Sequence, residues 1–179
     1  MAEEKKERWM TYMAITTVLV AVLATLSTFK GGGYSTRSLL NQTKASDQWA
    51  FYQSKSIKSY LYDMRRENLE IQKESLERQK ADETLIRKYA EMADEYKLKV
   101  KKYDEEKEEI TKVATGFETL RDESKLHSDK FGIAVIFLQI SILLSSIATL
   151  SKKRFVWICG LVFGVVGLFF FLDGFFLLM

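Results

Sequence analysis

Residues 9–29 and 131–179 carry only four formally charged side chains between them, Lys152, Lys153, Arg154 and Asp173. The intervening residues 30–130 carry 21 Lys/Arg and 20 Asp/Glu. Hydrocarbon offers no water to satisfy backbone N–H and C=O groups, so a chain crosses it as helices or as a closed barrel. A helical crossing takes roughly 20 predominantly apolar residues. Three segments meet that length: 9–29, 131–150 and 155–179. The overall composition, 47% hydrophobic and 28% charged, hides this segregation because it averages two classes that hardly mix. The pattern argues against a soluble globular enzyme. It predicts an all-α membrane protein with three transmembrane helices and a long charged region between the first and second.

Residue counts narrow the chemistry. There is no Pro, the one Cys (Cys159) lies inside an apolar segment, and the one His is His127. A single Cys makes no disulfide framework. A zinc site needs three or four closely spaced ligands, and no such cluster stands in the sequence. The charged region nets +1 and lacks the basic field on which nucleic-acid binding rests. The expectation is a non-enzymatic protein with no catalytic residue, no cofactor, no metal and no nucleic-acid partner.

Read in order, residues 1–8 form a tail with Lys5, Lys6 and Arg8. Residues 9–29 form the first span, with Trp9 and Tyr12 placed like interfacial aromatics. A cleaved signal peptide is the alternative, although Ala24-Thr25-Leu26-Ser27 is a poor small-x-small cleavage site. Gly31-Gly32-Gly33 cost a helix about 3 kcal/mol together, which predicts a flexible joint over 30–34. From Tyr34 to Thr115 there is neither Gly nor Pro. Acid-before-base pairs four apart recur, as in Glu74/Arg78 and Glu95/Lys99, the favourable order on a helix surface.

Leu85, Tyr89, Met92, Tyr96, Lys99, Tyr103, Glu106, Ile110, Val113, Phe117, Leu120, Ser124, His127 and Phe131 step 4-3-4-3 and predict a heptad seam. Ile86, Ala93, Val100 and Ala114 widen it. The upstream arm offers a weaker seam, Ile57, Leu61, Met64, Asn68 and Ile71, and a second stripe of Tyr62, Leu69 and Leu76. Both ends of this region meet the membrane at one face, so residues 35–130 are expected to form an antiparallel helical, coiled-coil-like hairpin. Its tip falls near 78–84, where Asp82 is placed to cap the returning helix. Residues 151–154 make a basic loop between the last two spans.

Each span carries small residues on one face, and small residues let helix backbones approach closely in lipid. These are Ala14, Thr17, Ala21, Ala24 and Thr28; then Ser141 and Ser145, with Ala134 and Ala148; then Gly160, Gly164, Gly167 and Gly174. The faces predict a tightly packed bundle, within one subunit or in a homo-oligomer. Asp173 is the one ionisable group within a span. It lies about 27 Å along its helix from Phe155, near the level of Lys30 and Lys130, so an interfacial ion pair with one of these is expected. Trp49, Phe51 and Tyr52 form an aromatic patch that either packs at the hairpin base or docks a partner.

The short loop Lys152-Lys153-Arg154 and the basic tail favour a cytoplasmic N-terminus with the hairpin outside the cytoplasm. Lys30, Arg37, Lys125 and Lys130 argue the other way, but residues in long loops count less. Thr28-Phe29-Lys30-Gly31-Gly32-Gly33-Tyr34-Ser35-Thr36-Arg37 and Ala45-Ser46-Asp47-Gln48-Trp49-Ala50-Phe51-Tyr52-Gln53-Ser54-Lys55-Ser56-Ile57-Lys58 resemble the bacterial family called domain of unknown function 4337. The resemblance implies a bacterial inner-membrane protein with one span, a long charged helical region and two further spans, and it carries over no catalytic residue. The functional expectation is an oligomeric scaffold or accessory protein that presents a coiled-coil stalk to another membrane or envelope protein. The alternative is a small oligomeric ion channel, or a channel or transporter modulator, lined by Thr17, Thr28, Ser141 and Ser145.

Overall fold

The computed structural model describes residues 2–178, with side chains from Trp9 onward. The side chains of Lys5, Lys6 and Arg8, and Met179 as a whole, lie outside the described residues. The described chain is all-helical: α1 (Ala2–Arg78), α2 (Glu83–Ser151) and α3 (Arg154–Phe176). All three are long and apolar enough to cross a membrane. The chain divides into two compact units, one of residues 1–40 and 120–179, the other of residues 41–119.

α1 runs unbroken through Gly31-Gly32-Gly33, where the sequence predicts a joint. The buried and half-buried side of α1 explains this. Met13, Thr17, Val20, Ala24, Ser27, Gly31, Tyr34 and Ser38 step 4-3 without a slip, and all are covered to some degree. A bend at the glycines would throw Tyr34 and Ser38 off that side. Gly31 is itself needed there: a Cβ would stand 3.1 Å from Phe131 Cβ, and the Ser128 hydroxyl donates to the Gly31 carbonyl at 3.0 Å. Contacts on one side of the helix outweigh the intrinsic cost of glycine in it.

In the first unit the first half of α1, the second half of α2 and α3 lie against one another. One end is a cluster of Met13, Ala148 and Trp157, joined by Trp9, Met10, Val156 and Leu161. The Trp157 indole donates to Thr16 Oγ1 at 3.3 Å. The other end is built on Phe131, fully buried among Tyr34, Phe171 and Phe175. Large apolar side chains such as Val18, Phe29, Ile136, Leu143, Leu150, Val162 and Val165 point outward.

The second unit is held by pairs in which α2 partners fall in number as α1 positions rise. The Trp49 indole donates to Glu118 at 2.9 Å, Lys55 pairs with Glu106 at 2.6 Å, the Ser59 hydroxyl donates to Asp104 at 3.0 Å, and Tyr62 stacks on Tyr103 at 5.6 Å. The covered side of α1 here holds Tyr62, Leu69 and Leu76, the second of the two stripes read from sequence, together with Ser59. Ile57, Leu61, Met64 and Ile71, expected as the seam, are exposed. On α2 the covered side passes through Ile110 and Ala114 and leaves Val113 exposed. Leu120, in the first unit, is exposed as well.

α1 ends in a Schellman arrangement. Lys80 N–H donates to Glu77 O and Ala81 N–H to Leu76 O, both at 3.1 Å, with Lys80 in the left-handed region at φ 50°. Asp82 then accepts the Thr84 amide at 3.2 Å and opens α2. Lys152, also left-handed at φ 53°, turns the chain from α2 to α3.

Gly32 and Gly33 have no neighbour within 4 Å of a built Cβ. Gly32→Ala should therefore raise stability by about 0.5–1 kcal/mol through helix propensity alone. At Gly167 a Cβ would stand 2.7 Å from Leu138 Cγ. Gly167→Val should cost about 1–3 kcal/mol by overpacking. Thermal unfolding in a membrane mimic should give opposite signs for the two.

Candidate functional site

A buried acid of the first unit, Asp173, and its partner Lys130 lie where α3 ends. The last four carbonyls of a helix lack intrahelical partners, and its C-terminus carries a partial negative charge. An acid there is unfavourable unless compensated. Asp173 lies in the last turn of α3 and is fully buried. Its Oδ1 accepts the Leu178 amide at 2.6 Å, and its Oδ2 lies 2.8 Å from Lys130 Nζ. Leu177, left-handed at φ 47°, donates its amide to the Asp173 carbonyl at 2.8 Å.

His127 sits one turn before Lys130 on α2. Its Nδ1 is 2.8 Å from the Gly174 carbonyl. A carbonyl can only accept, so Nδ1 carries the proton. The imidazole stacks on Tyr34 at 4.5 Å, and the Arg37 guanidinium lies over the Tyr34 ring, 5.8 Å from its centre. Two α2 side chains thus close the end of α3, one on a free carbonyl and one on the buried acid. Gly174 permits the approach, since a Cβ there would meet the Phe131 ring at 3.0 Å. Lys30 lies at the same end of α3, its ammonium 5.6 Å over the Phe175 ring.

The small-residue faces divide. Gly160, Gly164 and Gly167 are buried against α2: built Cβ atoms would stand 3.2 Å from Leu144 Cβ, 3.0 Å from Ser141 Oγ and 2.7 Å from Leu138 Cγ respectively. Ser141 and Ser145 are buried with them. These faces are therefore occupied within the chain. On α1, Ala24 is buried and Thr17 and Ala21 half-buried, whereas Ala14 and Thr28 are exposed. The side that α1 covers is displaced toward Met13, Val20 and Ser27, because α3 presents Trp157 to Thr16 and Gly164 to Val20. Counting small residues alone misses Met13 and Val20, which are large enough to fill space that Ala would leave empty.

In the other unit, Trp49 and Tyr52 are half-buried and meet edge to face at 5.6 Å, while Phe51 is exposed with Lys55 5.0 Å over its ring. Lys107, 2.7 Å from Asp104, holds that carboxyl below its ordinary value, with the Ser59 hydroxyl adding to the effect and desolvation opposing it. Lys55 does the same for Glu106. Among the described residues, no three His, Cys, Asp or Glu side chains come together as metal ligands.

The family described as domain of unknown function 4337 matches residues 9–177, nearly the whole chain and all the elements just described. The chain belongs to that family. No curated protein and no solved structure matches it. In this DUF4337 chain, the match takes in both the capped end of α3 and the paired arms around Tyr62, so neither is an appendage to the family's common part.

Two outcomes follow for this DUF4337 chain. Asp173→Asn keeps an acceptor for Leu178 but strands Lys130, and should cost about 1–3 kcal/mol. The double variant Asp173→Asn/Lys130→Gln should cost less than the two single changes together, with a coupling of about 0.5–3 kcal/mol in a denaturation cycle. Separately, Asp104 is depressed in the fold, so its contribution is complete above the ordinary carboxylate value near pH 4 and is lost as pH falls through the lower, folded value. Helix content followed by circular dichroism during acid titration should decline below about pH 4, and Asp104→Asn should flatten part of that decline.

Proposed function

We propose that the chain is a non-enzymatic structural protein of the bacterial cytoplasmic membrane. Its three helices each cross the bilayer once, and residues 35–130 form an antiparallel hairpin that stands from the membrane as a stalk and links copies of the chain or docks a partner. The observation that carries this reading is the division of the first unit into an outward side of large apolar residues and an inward side closed by contact. Exposed apolar surface on that scale marks contact with lipid or protein. Inside, an added carbon at Gly167 would clash with Leu138, and at Gly160 and Gly164 it would press on α2 at 3.2 Å and 3.0 Å. Ser141 and Ser145, the polar residues best placed to line a pore, are covered by that contact, which counts against the channel reading. Asp173, the one ionisable group within the spans, is buried and paired with Lys130 rather than turned to an open cavity.

The falling order of partners from Trp49/Glu118 to Tyr62/Tyr103 supports the hairpin. The loop at Lys152, Lys153 and Arg154 supports a cytoplasmic N-terminus and a periplasmic stalk. On a Cys159→Ala background, Ser59→Cys with Asp104→Cys should form a concentration-independent intramolecular disulfide in whole membranes. Lys153→Cys should resist a membrane-impermeant maleimide added to intact cells. Labelling from outside would reverse the orientation. A cation conductance of the purified protein in planar bilayers would replace the structural reading with the channel.

A further inference from the structure

We propose that the outer stripe of α1, Ile57, Leu61, Met64, Asn68 and Ile71, is the contact with a second copy of this chain, formed as a parallel two-stranded seam. The proposal deepens the scaffold reading and rests on it, since anchoring in one membrane is what makes two copies of α1 run in the same direction.

α1 is two-faced in this region. Ser59, Tyr62 and Leu69 take one side against α2. The outer stripe lies about 150° around the helix from them, at 100° per residue. Ile57, Leu61, Met64 and Ile71 are 60%, 56%, 59% and 66% exposed. The five positions step 4-3-4-3, and four large apolar side chains with one Asn at such heptad positions are the residue choice of a coiled-coil seam. Lipid does not suit the stripe, because Lys58, Arg65 and Glu67 flank it with both signs of charge.

The flanks and the one polar member fit a second copy. With Leu61 and Asn68 at the a positions and Ile57, Met64 and Ile71 at d, a parallel register sets Gln53 beside the second copy's Lys58, Tyr60 beside its Arg65 and Glu67 beside its Gln72. No pair brings like charges together. Asn68 occupies an a position, where a single Asn faces its own copy across a parallel dimer and fixes register at some cost in stability. Its amide nitrogen donates to the Met64 carbonyl at 3.1 Å within the helix, so Oδ1 keeps its acceptor capacity for the second copy's Asn68.

The test uses the full chain, Cys159→Ala, in native membranes and in lipid nanodiscs. Ile57→Cys and Leu61→Cys should each give a disulfide-linked dimer on mild oxidation, and Lys73→Cys, on the opposite side, should not. Leu61→Glu/Met64→Glu should reduce the native mass to that of a monomer. Preferential linking of differently tagged Ile57→Cys and Ile71→Cys chains to each other would overturn the parallel register. A wild-type oligomer by mass that yields neither homotypic link, and that survives Leu61→Glu/Met64→Glu, would overturn the seam while leaving the scaffold reading in place. A monomeric wild-type protein would overturn the seam and leave the stalk to dock a different partner.

Discussion

Gly167 of α3 lies so close to α2 that a Cβ would stand 2.7 Å from Leu138 Cγ and 3.1 Å from the Leu138 amide nitrogen. Most of the first unit depends on that approach. Close packing is the main source of helix association where the surroundings are as apolar as the side chains. With the glycine side of α3 against Leu138, Ser141 and Ser145, the larger residues of α3 are left to face outward. The groove remaining between α2 and α3 then receives α1, with Val20 3.6 Å from a Cβ built on Gly164 and the Thr16 hydroxyl taking the Trp157 indole proton. The depth at which α2 and α3 meet also decides where Phe131 falls, and Phe131 in turn fills the space beside Gly31 and Gly174.

Helices and glycine contacts were legible because each rests on local chemistry. A charge-free run of 20 residues, a Gly- and Pro-free stretch from Tyr34 to Thr115, and four glycines on one side of a helix all say what they require. The α1 stripe was less legible. Small residues define where backbones can approach, but α1 meets its neighbours through Met13, Val20 and Ser27 as well, and their fit depends on Trp157 and Gly164 from another helix. The triple glycine misleads for the same reason: propensity describes the isolated helix, and the contact of Gly31 with Phe131 is invisible to it.

The arms around Tyr62 show a different limit. Hydrophobicity ranks Ile57, Leu61, Met64 and Ile71 above Ser59, Tyr62 and Leu69 as the stripe to bury. The structure buries the second set because its polar members find exact partners. Ser59 has Asp104 within 3.0 Å, Lys55 has Glu106 within 2.6 Å, and Tyr62 has both Tyr103 and Tyr96 within 6 Å. A buried polar group that is matched costs little, whereas an unmatched one costs about 1–3 kcal/mol. Pairwise matching between distant segments cannot be scored from one stripe at a time.

The end of α3 joins these threads. Its single acid is placed at the helix terminus least favourable to it, and a carboxylate removed from water there would be expelled or neutralised if it stood alone. Lys130 answers both demands, since one ammonium offsets the acid and the negative end of the helix together. His127, one turn earlier on the same side of α2, satisfies the Gly174 carbonyl that the helix leaves open. The spacing of three between His127 and Lys130 therefore matches the two groups that α3 presents, a carbonyl and a carboxylate on adjacent residues. A Gly at 174 is what lets Phe131 close over them, so the chain's one histidine, the one acid of its spans and a glycine form a single terminating structure rather than three separate features.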